Sequence, residues 1–281
     1  MENISNQTCR ICNSSNLKKL ILGKTELINC SDCGIYYQSC LPESDVISDY
    51  YKDKYKISGD EVYQTEKRRI FRLPEQVELI SEIQNYKPSP AKILDIGCDK
   101  GYFLDEARRY GYEVCGIEPS QSAREYCTKI GIIVDESLDE ISDKFDVITM
   151  WHSLEHHLKP LEAIKILNNY ITKDGYLFIR VPAFDSIWRK ILGHRWIWFQ
   201  PQNHYFYFTY KSLTKILQLA GFEIIKLEHR KPNTRFTRKM NRLVNSLFGN
   251  KFAVKVNLKN ILSRKIEDIT GVEFFCVAKL K

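Results

Sequence analysis

The chain contains no apolar run approaching the about eighteen residues needed to cross a bilayer, and its opening stretch, MENISNQTCR, lacks the basic-then-apolar layout of a secretory leader. Both absences lead us to expect a cytoplasmic protein. No internal repeat and no low-complexity tract is present, which excludes solenoid and fibrous architectures. Acidic residues are missing from one long stretch: between Arg230 and Lys265 the chain has 11 basic residues and no Asp or Glu. Because the whole chain carries +7, the other 245 residues together carry −4, so the basicity belongs to one segment and not to the fold.

What is present is an ordinary globular composition. With 281 residues, 43% of them hydrophobic and 27% charged, the chain can bury one large core and still have room for smaller pieces. Of its nine cysteines, five are isolated and four are bunched near the start as CRIC and CSDCG. An odd total and wide separations argue against a disulfide framework. The two Cys-x-x-Cys pairs, with 17 residues between them, instead have the spacing of a four-cysteine zinc site. Each pair can turn two thiolates inward, and metal binding supplies stability that so short a piece cannot draw from a core of its own. Cys9, Cys12, Cys30 and Cys33 are therefore the expected ligands of a structural zinc, four ligands leaving no open position.

From Ile93 onward strand-like runs alternate with helix-like ones. AKILDIG, YEVCGIEPS, IGIIVDE, FDVITMW, GYLFIRVP, FEIIKLE and GVEFFCVAKL are short and rich in Ile, Val and Phe. YFLDEARRYG, SAREYCTKIG, PLEAIKILNNYI and YKSLTKILQLAG have helical patterning, and three of the four end in glycine. Strands separated by such helices predict a parallel, doubly wound α/β sheet. Two pieces precede it: residues 1–41 with the cysteine pairs, and a connection over 42–90 that holds YYKDKY and a predicted helix, EVYQTEKRRIFRLPEQVELISEI. KPSP marks the boundary before the sheet domain at 91–281, and the basic segment at 229–265 is an insert before the last strand.

The loop ILDIGCDKGYFL joins the first of these strands to the first helix, where open parallel sheets bind ligands. A dinucleotide fingerprint would need glycine at 97, 99 and 102, but the chain has Gly97, Asp99 and Tyr102. Lys100 is followed by glycine, so the loop holds no phosphate-binding Gly-Lys-Ser/Thr either. The remaining pattern, Asp-x-Gly-x-x-x-Gly, is followed by VCGIEPS, in which Glu118 ends the second strand and could accept both hydroxyls of a ribose.

Here the chain resembles the class I S-adenosylmethionine-dependent methyltransferases, whose first motif looks like Asp-x-Gly-x-Gly-x-Gly and whose second strand ends in an acid. The resemblance runs from about Lys92 to Phe222 and includes FDVITMWHSLEHHLKP and GYLFIRVP. It implies a seven-stranded Rossmann-like methyltransferase sheet with S-adenosylmethionine as cofactor. By the same resemblance, Gly97, Cys98 and Gly101 line the methionine moiety, Asp95 helps hold its amino group, and Glu118 takes the ribose. Ser137 and Leu138 fall near the adenine, and Met150 and Trp151 beside the methyl donor. Asp99 stands where the family has its middle glycine. An acid there suits a cationic cofactor without a diphosphate, so Asp99 is expected near the methionine end.

MWHSLEHHLKP places His152, Glu155, His156 and His157 at the carboxyl end of the fourth strand. Methyl transfer from a sulfonium often needs a base, and histidine titrates near neutral pH. His156 is the preferred base and His152 the second; the segment resembles a Leu-Glu-His motif of ubiquinone-pathway O-methyltransferases and zinc-ribbon-headed sugar methyltransferases. A metal is an alternative, but adjacent histidines on a forming helix point about 100° apart, so at most one of His156 and His157 would join His152. His204, in PQNHYFYFT, is a further candidate, brought over the site by the loop after the fifth strand.

In the basic segment, Phe236, Met240, Leu243, Val244, Leu247 and Phe248 recur at helical spacing among arginines and lysines. Such a helix suits a membrane-surface contact with a lipid-linked substrate through 230–265, a grip on an anionic substrate or RNA, or a lid packed on the core. WRKILGHRWIWF at 188–199 has similar character. The expected protein is a methyltransferase acting on a small molecule or glycan, a nucleotide sugar or saccharide by resemblance, at oxygen or carbon. A zinc-ribbon RNA-binding protein or RNA methyltransferase is the rival, and nucleic acid is the less favoured partner, since the Asn/Asp-Pro-Pro-Tyr run of amino-directed base methyltransferases is absent.

Overall fold

The computed structural model describes residues 7–42, 61–230 and 271–281. The predicted basic amphipathic helix, nearly all of the insert that contains it, and the YYKDKY stretch lie outside the described residues.

All seven predicted strands of the main domain form: β4 (Lys92–Ile96), β5 (Glu113–Ile117), β6 (Ile133–Asp135), β7 (Phe145–Trp151), β8 (Ile171–Pro182), β10 (Phe222–Arg230) and β11 (Glu273–Leu280). They make one sheet in the order β10-β11-β8-β7-β4-β5-β6. The pairs among β4, β5, β6, β7 and β8 are parallel, as the helical crossovers demand. The parallel expectation fails at one strand. β11 runs antiparallel to both neighbours, with Phe275 opposite Arg180 on β8 and Glu228 on β10. The reason is positional: β10 lies one strand beyond β8, and the last strand enters that gap from the opposite end.

The helices are α1 (Glu61–Gln84), α2 (Tyr102–Arg109), α3 (Gln121–Lys129), α4 (Pro160–Ile166), α5 (Ile187–Leu192) and α6 (Tyr210–Leu219). Their starts are written locally. Pro160 opens α4, where its fixed φ is pre-organised. Thr209 and Ser212 cap α6 reciprocally. The period-2 alternation of the strands then sorts the core onto two faces. Leu94, Ile148, Met150, Leu177 and Ile179 pack with Leu161, Ile164, Leu213 and Ile216 of α4 and α6. Ile93, Val147, Phe178 and Phe275 pack with Ile80 and Ile83 of α1 and Phe103 and Leu104 of α2. Helices on both faces make the sheet doubly wound.

A second, four-stranded sheet joins the cysteine segment to this body. β1 (Leu17–Leu22), β2 (Thr25–Cys30) and β3 (Tyr36–Gln38) are extended by β9 (Phe206–Tyr207), which comes from the chain between β8 and α6. Tyr36 stands opposite Tyr207 and Tyr37 opposite Phe206. Leu27, Phe184, Trp196 and Tyr207 fill the space beneath. Removing such side chains from water is worth roughly 1.5–3 kcal/mol each, which fastens the loop after β8 to the N-terminal segment. Among the described residues no helix is long and apolar enough to cross a membrane.

Candidate active site

Successive crossovers from β4 run one way to β5 and β6, and the chain then returns to β7 and β8 on the other side of β4. The carboxyl ends of β4 and β7 therefore flank a switch point, where open α/β sheets leave a crevice. Both motifs singled out in the sequence end there.

The loop after β4 turns through left-handed conformations at alternate positions, with φ of +77° at Gly97, +50° at Asp99 and +65° at Gly101. The amides of Gly97 and Cys98 both donate to the Ile117 carbonyl, at 2.8 and 3.1 Å, which holds the loop against the end of β5. A Cβ on Gly97 would stand 2.7 Å from Ser153 Oγ, so glycine is needed there for conformation and for space. The backbone at Asp99 explains why a glycine suits this position. Aspartate is among the few residues that tolerate it.

Glu118 is buried and accepts the Asp99 amide on one carboxylate oxygen and the Ser120 amide on the other, each at 2.9 Å. Burial raises its pKa, while the two amides oppose that rise. The main chain of Asp99 is thus tied to Glu118 at the end of β5. Asp95 is also buried and accepts a 2.6 Å hydrogen bond from Thr149 Oγ1, directly across on β7. Burial carries Asp95 up to about 7, against the opposing pull of Thr149. Thr149 and Ser153 escaped the sequence reading because a lone hydroxyl carries no spacing signal. Arg124, which donates to the carbonyls of Glu118 and Pro119, was missed for the same reason.

Ser137 and Leu138 lie half-buried in the turn after β6, where the Leu138 carbonyl accepts from Tyr170 Oη at 3.0 Å. Met150 is fully buried in the core, which leaves its side chain no surface for a ligand. The pleat turns it toward α4 and α6. Trp151 faces the other way, edge-on to Phe103 at 5.4 Å and stacked on Phe275.

Beyond β7 the chain passes through His152, at φ +52°, into a short 3-10 turn at Leu154–His156. His152 lies between two buried carboxylates, Nδ1 3.4 Å from Glu155 and Nε2 3.5 Å from Glu273. Burial alone would lower its pKa, but the charge of Glu273 and its contact with Glu155 outweigh burial and lift it to about 9. Against burial, His152 brings Glu155 down to about 2, and Arg180 followed by His152 brings Glu273 down to about 2. This setting between two acids favours the charged form of the ring, which suits His152 to pairing with Glu155 and Glu273 more than to taking up a proton. Arg180 of β8 completes this network, bonding Glu273 through Nε at 3.2 Å and Glu75 of α1 at 2.8 Å.

His156 is arranged differently. Its Nδ1 lies 2.6 Å from the Asn203 carbonyl, which can only accept, so Nδ1 carries a hydrogen and the neutral ring holds its lone pair at Nε2. His204 repeats the arrangement, with Nδ1 3.0 Å from the Trp198 carbonyl. Burial takes His204, and also His157, down to about 4. The rings of His156 and His204 meet edge-on at 4.9 Å. The loop that delivers His204 is held by Gln38 of β3, whose side-chain amide donates to the carbonyls of Pro201 and His204.

The four cysteines of the N-terminal segment converge, with Cys9 and Cys33 sulfurs 3.6 Å apart and Cys12 and Cys30 likewise 3.6 Å. Thiolates around zinc at about 2.3 Å stand roughly 3.8 Å from one another, so the donor set fits that ion.

A profile of the methyltransferase domain family matches residues 65–227. The ubiquinone biosynthesis O-methyltransferase of Actinobacillus pleuropneumoniae serotype 5b is 34% identical over 102 residues, covering 31% of this chain and 44% of that protein. The tRNA U34 carboxymethyltransferase of Vibrio vulnificus is 24% identical over 192 residues, covering 63% of this chain and 56% of that one. The chain thus spans about half the length of the curated relatives it matches. Among solved structures, a SAM-dependent methyltransferase from Archaeoglobus fulgidus superposes with a TM-score of 0.54 at 19% identity, covering 82% of this chain and 98% of that one, a likeness of fold. With more than half of its residues inside the matched profile, and with the sheet order and glycine loop described above, the chain belongs to the methyltransferase domain family.

Proposed function

We propose that the protein transfers the methyl group of S-adenosylmethionine to oxygen or carbon of a small molecule or glycan, with a nucleotide sugar or other saccharide as the acceptor class. The observation that carries this reading is the meeting, at one switch point, of the Gly97–Gly101 loop with the acid and histidine cluster after β7. Asp95 and Glu118 give the loop two buried carboxylates, suited to a cofactor that brings an ammonium, a sulfonium and ribose hydroxyls. Gly97, Cys98, Asp99 and Gly101 form its floor, and Ser137 and Leu138 the adenine side.

The acceptor lies over His156. On a hydroxyl acceptor, the oxygen attacks the methyl carbon, the carbon–sulfur bond breaks with its electron pair going to sulfur, and S-adenosylhomocysteine leaves. The hydroxyl proton is taken up at Nε2 of His156, the lone pair that the Asn203 carbonyl leaves exposed. We assign a structural zinc to Cys9, Cys12, Cys30 and Cys33, where it would brace the small sheet that holds the loop over the site. A lipid-linked acceptor would bring the basic segment at 230–265 to a membrane surface. Ile191 and Ile197, exposed beside Lys190 and Arg195, suit the same contact.

A second reading, an RNA methyltransferase gripping its substrate through the basic segment, is supported by the likeness to proteins named for tRNA U34. Calorimetry with S-adenosylmethionine separates the cofactor question from the acceptor question. Heat with the unaltered chain that Glu118→Ala removes is expected, and no heat overturns the methyltransferase activity. Release of S-adenosylhomocysteine is then measured over nucleotide sugars, phenols and bulk tRNA; turnover on tRNA alone would displace the small-molecule reading. His156→Ala should keep cofactor affinity and lose turnover.

A further inference from the structure

Glu155 is 1% exposed, and among the described residues neither of its carboxylate oxygens has a hydrogen-bond partner. A carboxylate sealed from water costs several kcal/mol unless something positive faces it. His152 meets one oxygen at 3.4 Å as an ion pair without hydrogen-bond geometry, and it is shared with Glu273. Glu155 therefore keeps much of its donor capacity unused.

Two imidazoles surround that capacity. One ring nitrogen each from His156 and His204 and a carboxylate oxygen of Glu155 all lie within 4.8 Å of one another. Both histidines present Nδ1 to a backbone carbonyl, Asn203 for one and Trp198 for the other. This is the arrangement by which proteins orient metal-ligating histidines: the carbonyl fixes the tautomer, and Nε2 is left as an unprotonated, directed lone pair. The backbone holds the three residues in register. The Tyr205 amide donates to the Glu155 carbonyl at 2.9 Å, joining the loop of His204 to the turn of Glu155 and His156.

We propose that Glu155, His156 and His204 bind one divalent first-row transition-metal ion, a site separate from the four cysteines. Two imidazoles and one carboxylate suit Zn2+, Co2+, Ni2+ or Fe2+ better than Mg2+ or Ca2+, which prefer oxygen donors throughout. Donors at about 2.0–2.2 Å from an ion stand roughly 3–3.5 Å apart, so binding draws the three groups slightly inward. Three protein ligands leave at least one coordination position open, the arrangement of sites that handle a substrate and not of sites that only brace a fold. The inference rests on the proposed activity only for its meaning: coordination and proton uptake draw on the same lone pair of His156, so a bound ion and the proton compete for it.

The test uses the full chain stripped with a chelator and titrated with Co2+, followed by absorption and by bound-metal analysis. Thiolate-to-cobalt charge-transfer bands report the cysteines, and a nitrogen and oxygen site gives only weak ligand-field bands. Two equivalents are expected, one with charge transfer and one without. Glu155→Gln and His204→Gln should each abolish the second equivalent and keep the first, with S-adenosylhomocysteine binding retained as proof of fold. A wild-type chain that binds only the thiolate-linked equivalent, or a second equivalent that survives both substitutions, overturns the site. A second equivalent that appears without any S-adenosylhomocysteine heat supports the site and counts against the methyltransferase activity, so the two failures are distinguishable.

Discussion

The imidazole of His152 lies flat against the indole of Trp198, with ring centroids 4.8 Å apart and planes 5° from parallel. Trp198 belongs to the loop after β8, so the stack joins that loop to the end of β7 at the point where His152 adopts its left-handed backbone. A cation over an aromatic face is favoured by about 0.5–2 kcal/mol. Trp198→Leu should therefore lower the pKa of His152 from its value of about 9, by up to about one unit. Imidazole resonances followed by NMR across pH measure this directly, and an unmoved titration would show that Glu155 and Glu273 alone set the charge.

Asp95 should make the proposed cofactor binding depend on pH. Its folded pKa of about 7 lies above the ordinary 3.8, so the folded cofactor-free protein prefers the protonated acid. That contribution to stability is complete below about pH 3.8 and is lost as pH rises through about 7. A cofactor ammonium favours the ionised acid, so binding near pH 6 should release a proton. S-adenosylmethionine affinity should then rise with pH through about 7, and Asp95→Asn should flatten the rise. Calorimetry in buffers of different ionisation enthalpy counts the proton.

Gly97→Ala places a Cβ 2.7 Å from Ser153 Oγ at a backbone φ of +77°. The conformation alone costs about 1–2 kcal/mol. Gly97→Ala should lower the melting temperature and weaken cofactor binding, and Ser153→Ala in the same chain should restore only part of the loss. Asp99→Gly, by contrast, relieves a left-handed backbone and should retain binding, with stability changed by no more than about 1 kcal/mol. Denaturant unfolding with calorimetry separates the two cases.

Arg180→Met leaves Glu273 buried with one cation fewer. Breaking a buried pair from one side costs about 3–5 kcal/mol. Glu75, the other partner, is partly exposed, so Glu75→Gln should cost no more than about 1 kcal/mol. Urea unfolding of the two variants should show that difference; equal losses would mean that Glu273 is satisfied without Arg180.

Cys33→Ser should release the metal assigned to the four thiolates and loosen the small sheet. Because β3 pairs with β9 and Gln38 holds the carbonyls of Pro201 and His204, the effect should reach the active-site loop. Amide exchange at Phe206 and Tyr207 should accelerate while the amides of β4 and β7 stay protected. Acceleration throughout the chain would instead indicate global destabilisation.

Much of this protein is written in short range. The alternation of strand and helix, the two Cys-x-x-Cys knuckles, the loop from Asp95 to Gly101 and the acid at Glu118 are local patterns, set by pleat, helical period and turn chemistry. The chain alone determines them, because each needs only neighbours a few residues away. What the tertiary structure decided are contacts between distant segments. The sequence could rank His152 as a base but could not see Glu273, 121 residues later, whose charge favours the protonated ring. It allowed His152 at most one of His156 and His157 as a metal partner, whereas folding brings His204 to Glu155 and His156. The direction of β11 and the claim of β9 on the N-terminal sheet were equally hidden, since strand pairing depends on which edge is open after the rest has packed. Local geometry is encoded residue by residue, but the charge state and ligand set of a buried group depend on whatever long-range packing places around it.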